Sequence, residues 1–256
     1  MAFVPLSSLI GARRPVLTSW VTMPEPLVAE ATVRAGFDCV TLDMQHGLHD
    51  AVSVARAIAA VTLAGAPTVV RVPVGDFAMV SRALDMGASA VIAPMINSAR
   101  DCAAFVAAAK YPPLGERSWG ATRAQQLQGA DGSAYLSGAN ASTMTFAMIE
   151  TLEALHALDD ILDVPGLDAV FIGPSDLSIA LSKGANVDPM RADNQDAATA
   201  ILGKAHARGK CVGIFALSGA EVRYYRRLGY DFVALGLDTG YLTRGIAAML
   251  DDARDD

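Results

Sequence analysis

The chain has 256 residues, of which 52% are hydrophobic and 18% charged, with a net charge of −7. That much apolar material fills a large core and excludes a disordered chain. The basic residues are scattered, so no cationic footprint for a phosphate backbone forms, and nucleic acid is not expected as a partner.

The compartment reads in the same way. Cys39, Cys102 and Cys211 are far apart and lack metal spacing. Buried free thiols in a reducing compartment are expected. In the first residues the basic pair follows the apolar part, the wrong order for a signal peptide. The stretch 57–70 is too short to span a bilayer and contains Gly65 and Pro67. A cytoplasmic protein with no membrane partner is expected.

In chain order, apolar β-type runs recur at 16–21, 39–42, 68–72, 90–93, 144–149, 169–172, 211–215 and 232–235. They are near-continuous, as strands covered on both faces would be. Helices are predicted between them. The first runs over 24–35 with Pro24 or Pro26 near its start. Asp50 can cap 51–63, Asp76 can cap a helix through 85, and Ser98 with Asp101 forms a capping-box variant before 102–110. Thr151 precedes 152–162. Further helices are predicted over 193–208, 218–228 and 239–250. Gly36, Gly65, Gly87, Gly209 and Gly229 stand at helix ends, where the left-handed C′ residue is expected.

Eight strands each followed by a helix is the count of a (β/α)8 TIM barrel. A doubly wound sheet is the competitor; it usually has fewer strands and often a Gly-rich first turn. The expected fold is α/β, one barrel domain over residues 1–256. Residues 111–142, rich in Gly, Gln, Ser and Ala, read as a long irregular segment after the fourth helix, a functional loop or an assembly arm.

A barrel places its chemistry at the C-terminal ends of its strands. There the sequence has Asp43 and His46 (LDMQHG), Arg71 (VVRVPVG), Glu150 (AMIET), and Ser175 and Asp176 reached through Gly173 and Pro174 (VFIGPSDLS). Each has an ordinary reading: Glu150 and Asp176 as helix caps, Arg71 as the partner of a structural acid, His46 as a turn residue. Together they point further, because an Arg ending an apolar strand needs a buried partner or a ligand. Two carboxylates on neighbouring strands suit Mg²⁺ or Mn²⁺, with the other positions left to water and substrate. Arg71 can grip a carboxylate or an enolate oxygen, and His46 can move a proton near neutrality. His49, His156 and His206 are not expected as ligands.

Other barrel chemistries compete. A Schiff-base aldolase needs a lysine in the barrel mouth. Lys110 and Lys204 read as helical surface, Lys210 precedes its strand, and Lys183 alone remains a candidate. Gly213, Gly236 and Gly240 could open an anion site for a phosphorylated sugar, or equally permit tight packing.

LDMQH at 42–46, VVRVP at 69–73, YPPLGERSWG at 111–120, AMIET at 147–151 and VFIGPSDLS at 170–178 together resemble the HpcH/HpaI aldolase family, over nearly the whole chain. The resemblance implies a metal-dependent class II aldolase that cleaves 4-hydroxy-2-oxo acids to pyruvate, or hydroxypyruvate, and an aldehyde. It implies a divalent metal on Glu150 and Asp176, Mg²⁺ or Mn²⁺ with Co²⁺ accepted. Arg71 would stabilise the enolate, His46 would be the acid/base, and Asp85 would raise that histidine's basicity. Asp43 matches a further active-site acid, and Ser175 and Asp176 match substrate contacts. A hexamer exchanging its last helix between subunits is implied. Two positions depart from the pattern: Gln45 replaces a common Glu, and Met148 replaces a Gln two residues before the metal Glu. Met148 marks a change in donor preference, with hydroxypyruvate as the open candidate. The neighbouring citryl or malyl thioester lyases would have to house a CoA moiety, and a keto-acid-binding barrel without catalysis would not need His46.

Overall fold

The computed structural model describes residues 3–11 and 14–254. After a short 3-10 turn at Leu6–Ser8, eight parallel strands close on themselves in sequence order. They are β1 (Val16–Val21), β2 (Cys39–Asp43), β3 (Thr68–Arg71), β4 (Ala90–Ala93), β5 (Met144–Ile149), β6 (Ala169–Ile172), β7 (Cys211–Ala216) and β8 (Phe232–Leu237). The expected (β/α)8 barrel is the fold.

Period-two alternation sorts every strand between two cores. One face packs inward, where Val16, Trp20, Cys39, Val69, Ile92, Phe146, Phe171 and Phe232 fill the lumen. The other face packs against the helices through Val40, Leu42, Val70, Val91, Val170 and Ile214. The lumen is solid. A Cβ on Gly213 would press on the rings of Phe171 and Phe232, so this glycine makes room for aromatics and does not open an anion site.

The main helices follow their strands: α1 (Pro26–Arg34), α2 (Ala51–Leu63), α3 (Phe77–Met86) and α4 (Ala99–Ala109). The caps are those the sequence proposes. Asp50 accepts from the Ser53 amide while the Ser53 hydroxyl accepts from the Asp50 amide. Asp76 and Thr151 cap likewise. At Ser98 the box differs: the hydroxyl accepts from the Asp101 amide and donates to the Asp101 carboxylate, instead of the acid reaching back to the backbone. Gly87 and Gly229 end their helices at φ 110° and 94°, a conformation that disfavours any side chain.

Three local expectations change. Residues 111–142 are irregular only in part: 111–121 has no regular structure, but α5 (Thr122–Gln128) and α6 (Gly132–Ser142) follow, packed around Tyr111, Ala124 and Tyr135. The helix expected over 152–162 is two short ones, α7 (Leu152–His156) and α8 (Leu158–Leu162), meeting at Ala157. The helix that Asp176 could have capped, α9 (Pro174–Leu181), follows β6 directly, starts earlier with Gly173 as its N-cap, and carries Asp176 in its first turn. The outer layer is completed by α10 (Ala192–Ala207), α11 (Gly219–Leu228) and α12 (Asp238–Asp252). No helix among the described residues is long and apolar enough to cross a membrane.

Lys110 is not helical surface. It is 1% exposed, and its Nζ meets Asp168 at 2.8 Å and the carbonyls of Asn140 and Thr143. It ties the ends of α4 and α6 to the start of β6. Cys39 and Cys102 are buried and Cys211 half-buried, all as free thiols.

Candidate active site

The inward parity of each strand continues to its C-terminal end and decides which polar groups top the lumen. On β2, Cys39 and Thr41 face inward, so Asp43 does too. On β3, Val69 is followed by Arg71. On β5, Phe146 and Met148 lead to Glu150. Asp43 and Arg71 are direct register partners on adjacent strands. Arg71 therefore reaches across one strand spacing and grips the carboxylate with both prongs, Nε to Oδ1 at 2.9 Å and Nη2 to Oδ2 at 2.6 Å. Both are buried, Asp43 at 1% and Arg71 at 8% exposed. Burial acts to raise the Asp43 pKa, but the hydrogen bonds and charge of Arg71, with the Trp20 indole, hold it below the ordinary carboxylate value.

A cavity of about 280 Å³ opens above this pair. Asp43, His46, Arg71, Met148, Gly173, Pro174, Ser175 and Asp176 line it, so most of the residues picked from the sequence converge. The loop carrying His46 is built from Asp43, whose Oδ1 accepts from the amides of Gln45 and His46. The Leu48 amide donates to the Thr22 carbonyl at 2.8 Å and ties that loop to β1.

Glu150 lies beneath the cavity lining, 2% exposed. Its Oε1 accepts the Met95 amide at 2.8 Å, and its Oε2 abuts Gly173 so closely that any Cβ there would collide with it. Met95 sits at φ 55°, a left-handed conformation unusual for its side chain. Burial pushes the Glu150 carboxyl up to about 7; the charge of Asp176 adds to this, while the Met95 amide and Arg71 oppose it. A buried carboxylate near a second one, with no cationic side chain bonded to either among the described residues, is a donor set that fits a divalent cation. No three His, Cys, Asp or Glu side chains cluster as a metal site among the described residues, so the protein would supply two oxygen ligands and leave the other positions open.

Asp85 goes elsewhere. Its carboxylate pairs with Arg117 at 2.6 Å, and that guanidinium lies over the Tyr111 ring. It does not line the cavity, and no hydrogen bond joins it to His46 among the described residues. Lys183 is exposed at the end of α9 and outside the cavity, which leaves no lysine among the residues lining it. The structure adds residues that strand-end reading missed: Trp20, Phe171, Phe215 and Leu237 form an apolar wall. Their signal was present, since Trp20, Phe171 and Phe215 share the inward parity of their strands. The Met95 amide had none, because any residue can supply one.

The same architecture is found in known proteins. The sequence model of the HpcH/HpaI aldolase/citrate lyase family matches residues 17–244. The chain belongs to that family. Among HpcH/HpaI relatives, a hydroxypyruvate/pyruvate aldolase from Rhizorhabdus wittichii is 40% identical over 241 residues, 94% of this chain and 95% of its own. A 4-hydroxy-2-oxo-heptane-1,7-dioate aldolase from Salmonella dublin is 34% identical over 240 residues, 94% of this chain and 90% of its own. The crystal structure of an HpcH/HpaI family protein from Burkholderia cenocepacia J2315 superposes with a TM-score of 0.87 at 31% identity, covering 98% of this chain and 99% of that one.

Proposed function

We propose that the chain is a divalent-metal-dependent class II aldolase that joins and cleaves a 2-oxo acid, pyruvate or hydroxypyruvate, and a small aldehyde. The observation that carries this reading is the Arg71–Asp43 pair at adjacent strand ends, opening onto a cavity shared with His46 and Asp176 and underlain by the buried Glu150. Family membership and the aldolase names of the relatives support it.

Glu150 and Asp176 would hold Mg²⁺ or Mn²⁺, with Co²⁺ accepted in their place. Bound there, the ion would polarise the 2-oxo group and share the negative charge that develops on its oxygen. Arg71 has Nε and Nη2 committed to Asp43, and its Nη1 has no protein hydrogen bond among the described residues. That edge meets the developing enolate oxygen. In cleavage, His46 takes the proton from the C4 hydroxyl, the C3–C4 bond breaks, and the aldehyde leaves. The bonding electrons end on the 2-oxo oxygen as an enolate, and protonation at C3 gives the free 2-oxo acid. In synthesis the same groups act in reverse. Gly173, Pro174 and Ser175 at the start of α9 border the keto acid, and Met148 supplies an apolar contact beside it.

The chain acts as one barrel domain, in the cytoplasm, on small molecules and as a homo-oligomer, a hexamer by family resemblance. Leu242, Ile246, Met249 and Leu250 support association, since they form one exposed apolar face of α12. Light scattering of the purified protein checks the state; a monomer at micromolar concentration would overturn it.

The reaction is tested by incubating the Mg²⁺-loaded enzyme with pyruvate in D₂O and following the C3 protons by NMR, then adding glycolaldehyde. Exchange and a new carbon–carbon product are expected, both lost with EDTA and restored by Mg²⁺, Mn²⁺ or Co²⁺. Undiminished exchange in metal-free protein would sink the mechanism.

A further inference from the structure

Trp20 has no role in the mechanism above, yet it touches both members of the pair that carries it. It is 2% exposed at the top of the lumen on β1. Its Nε1 donates to Asp43 Oδ2 at 3.1 Å, the oxygen that also accepts Arg71 Nη2. Its ring lies against the Arg71 guanidinium, whose carbon is 4.9 Å from the ring centroid. Trp20 is itself wedged, with Phe171 at 5.5 Å and Phe215 edge-on at 5.4 Å.

We propose that Trp20 is a positioning residue, holding Arg71 and Asp43 so that only the Nη1 edge of the guanidinium faces the reacting 2-oxo acid. The inference rests on the aldolase reading.

Two observations separate it from space filling. First, Asp43 has its two oxygens divided among five donors: Oδ1 takes Arg71 Nε and the amides of Gln45 and His46, and Oδ2 takes Arg71 Nη2 and the indole. Without the indole, Oδ2 depends on Arg71 alone. The carboxylate can then turn, and the fork follows it. Rotation of the fork moves Nη1 away from the oxyanion, where small displacements matter. Second, the β1–β8 ladder shifts register beside Trp20. The β1–β8 register runs Thr18 to Ala234 and then Trp20 to Leu237, with the extra residue on β8 and Gly236 at φ 63°. A bulge at a barrel rim re-aims the side chains next to it.

The test uses the full-length Mg²⁺-loaded enzyme and C3-proton exchange of pyruvate in D₂O. Trp20→Phe keeps a ring near Arg71 and removes the N–H. It is expected to lower kcat about tenfold while KM for pyruvate changes less than twofold. In an Asp43→Asn background the same change should cost less than twofold, because the group through which Trp20 acts is already altered. A kcat within twofold of wild type, or the same loss in both backgrounds, overturns the proposal, since a packing defect would act equally in each. If Trp20→Phe does not fold, replacing the indole N–H by sulfur in an isosteric residue leaves packing intact and is judged by the same outcomes. Wild-type enzyme without exchange would bring down the aldolase reading and this inference with it; an active wild type with additive losses removes Trp20 alone.

Discussion

Two ion pairs, each with a buried cation, sit at opposite ends of this barrel, and they are finished differently. At the bottom, Lys110 spends its Nζ on Asp168 and two backbone carbonyls, while Asp168 also accepts from the amide and hydroxyl of Thr145. An ammonium has three donors and all three are used. At the top, Arg71 satisfies Asp43 and keeps one edge of its guanidinium for the cavity. A closed network fastens helices to the sheet. A network left open by one edge, at the end where barrels do chemistry, is a place for a ligand. The difference teaches that hydrogen-bonding capacity left over at a buried ion pair is more informative than the pair itself.

The largest effect should come from closing the open end. Arg71→Ala is expected to lower kcat about 10²–10³-fold, the cost of removing an oxyanion donor. Steady-state pyruvate release measures it, and isothermal titration with Mn²⁺ should show metal binding retained. Equal loss of both would make Arg71 structural and erase the contrast. At the closed end, Lys110→Ala should cost about 2 kcal/mol of unfolding free energy, since it leaves the half-buried Asp168 and two backbone carbonyls without their donor, while kcat of the folded enzyme stays near wild type. Urea unfolding with parallel kinetics decides it.

The metal-free protein sharpens the comparison through pH. Glu150 ordinarily titrates at 4.5 but at about 7 when folded. Between those values the folded state holds a proton that the unfolded state lacks, so stability falls as pH rises through the window. Metal-free protein should be more stable at pH 5 than at pH 8 by about 2.5 kcal/mol from this group. Glu150→Gln should remove that slope, and an unchanged slope in denaturation curves would refute the assignment. Gly173→Ala tests the same carboxylate sterically. Its Cβ would displace Glu150 Oε2, and Mn²⁺ affinity should drop about tenfold or more with little change in melting temperature. The smallest effect is expected at the start of α2: Asp50→Ala removes the N-cap and should lower the urea midpoint slightly, with kcat of the folded enzyme little changed.

Local physics made much of this protein legible in its sequence. Strands announced themselves because both faces are buried, and caps because Asp50, Asp76 and Thr151 bond amides three residues away. Strand period then carried Asp43, Arg71 and Glu150 to the top of the lumen, so the site could be picked from strand ends. The resemblance added roles to those positions. The helices of 111–142 were harder, because their sequence is rich in Gly and Ser and their stability comes from packing on Tyr111 and Tyr135.

What the sequence alone determined is therefore what depends on neighbours within a few residues: the eight strands, their order, most helix starts, and the direction each strand-end side chain faces. Only the tertiary structure decided which charge meets which. Arg71 bonds Asp43 across 28 residues, Arg117 bonds Asp85 across 32, and Lys110 pairs with Asp168 from a still more distant segment. Each lysine or arginine has a stem long enough to reach several acids, and local pattern carries no information on which one closure of the barrel will bring near. The same closure brought Trp20 under Arg71, a contact between strands one and three that no short stretch of sequence encodes.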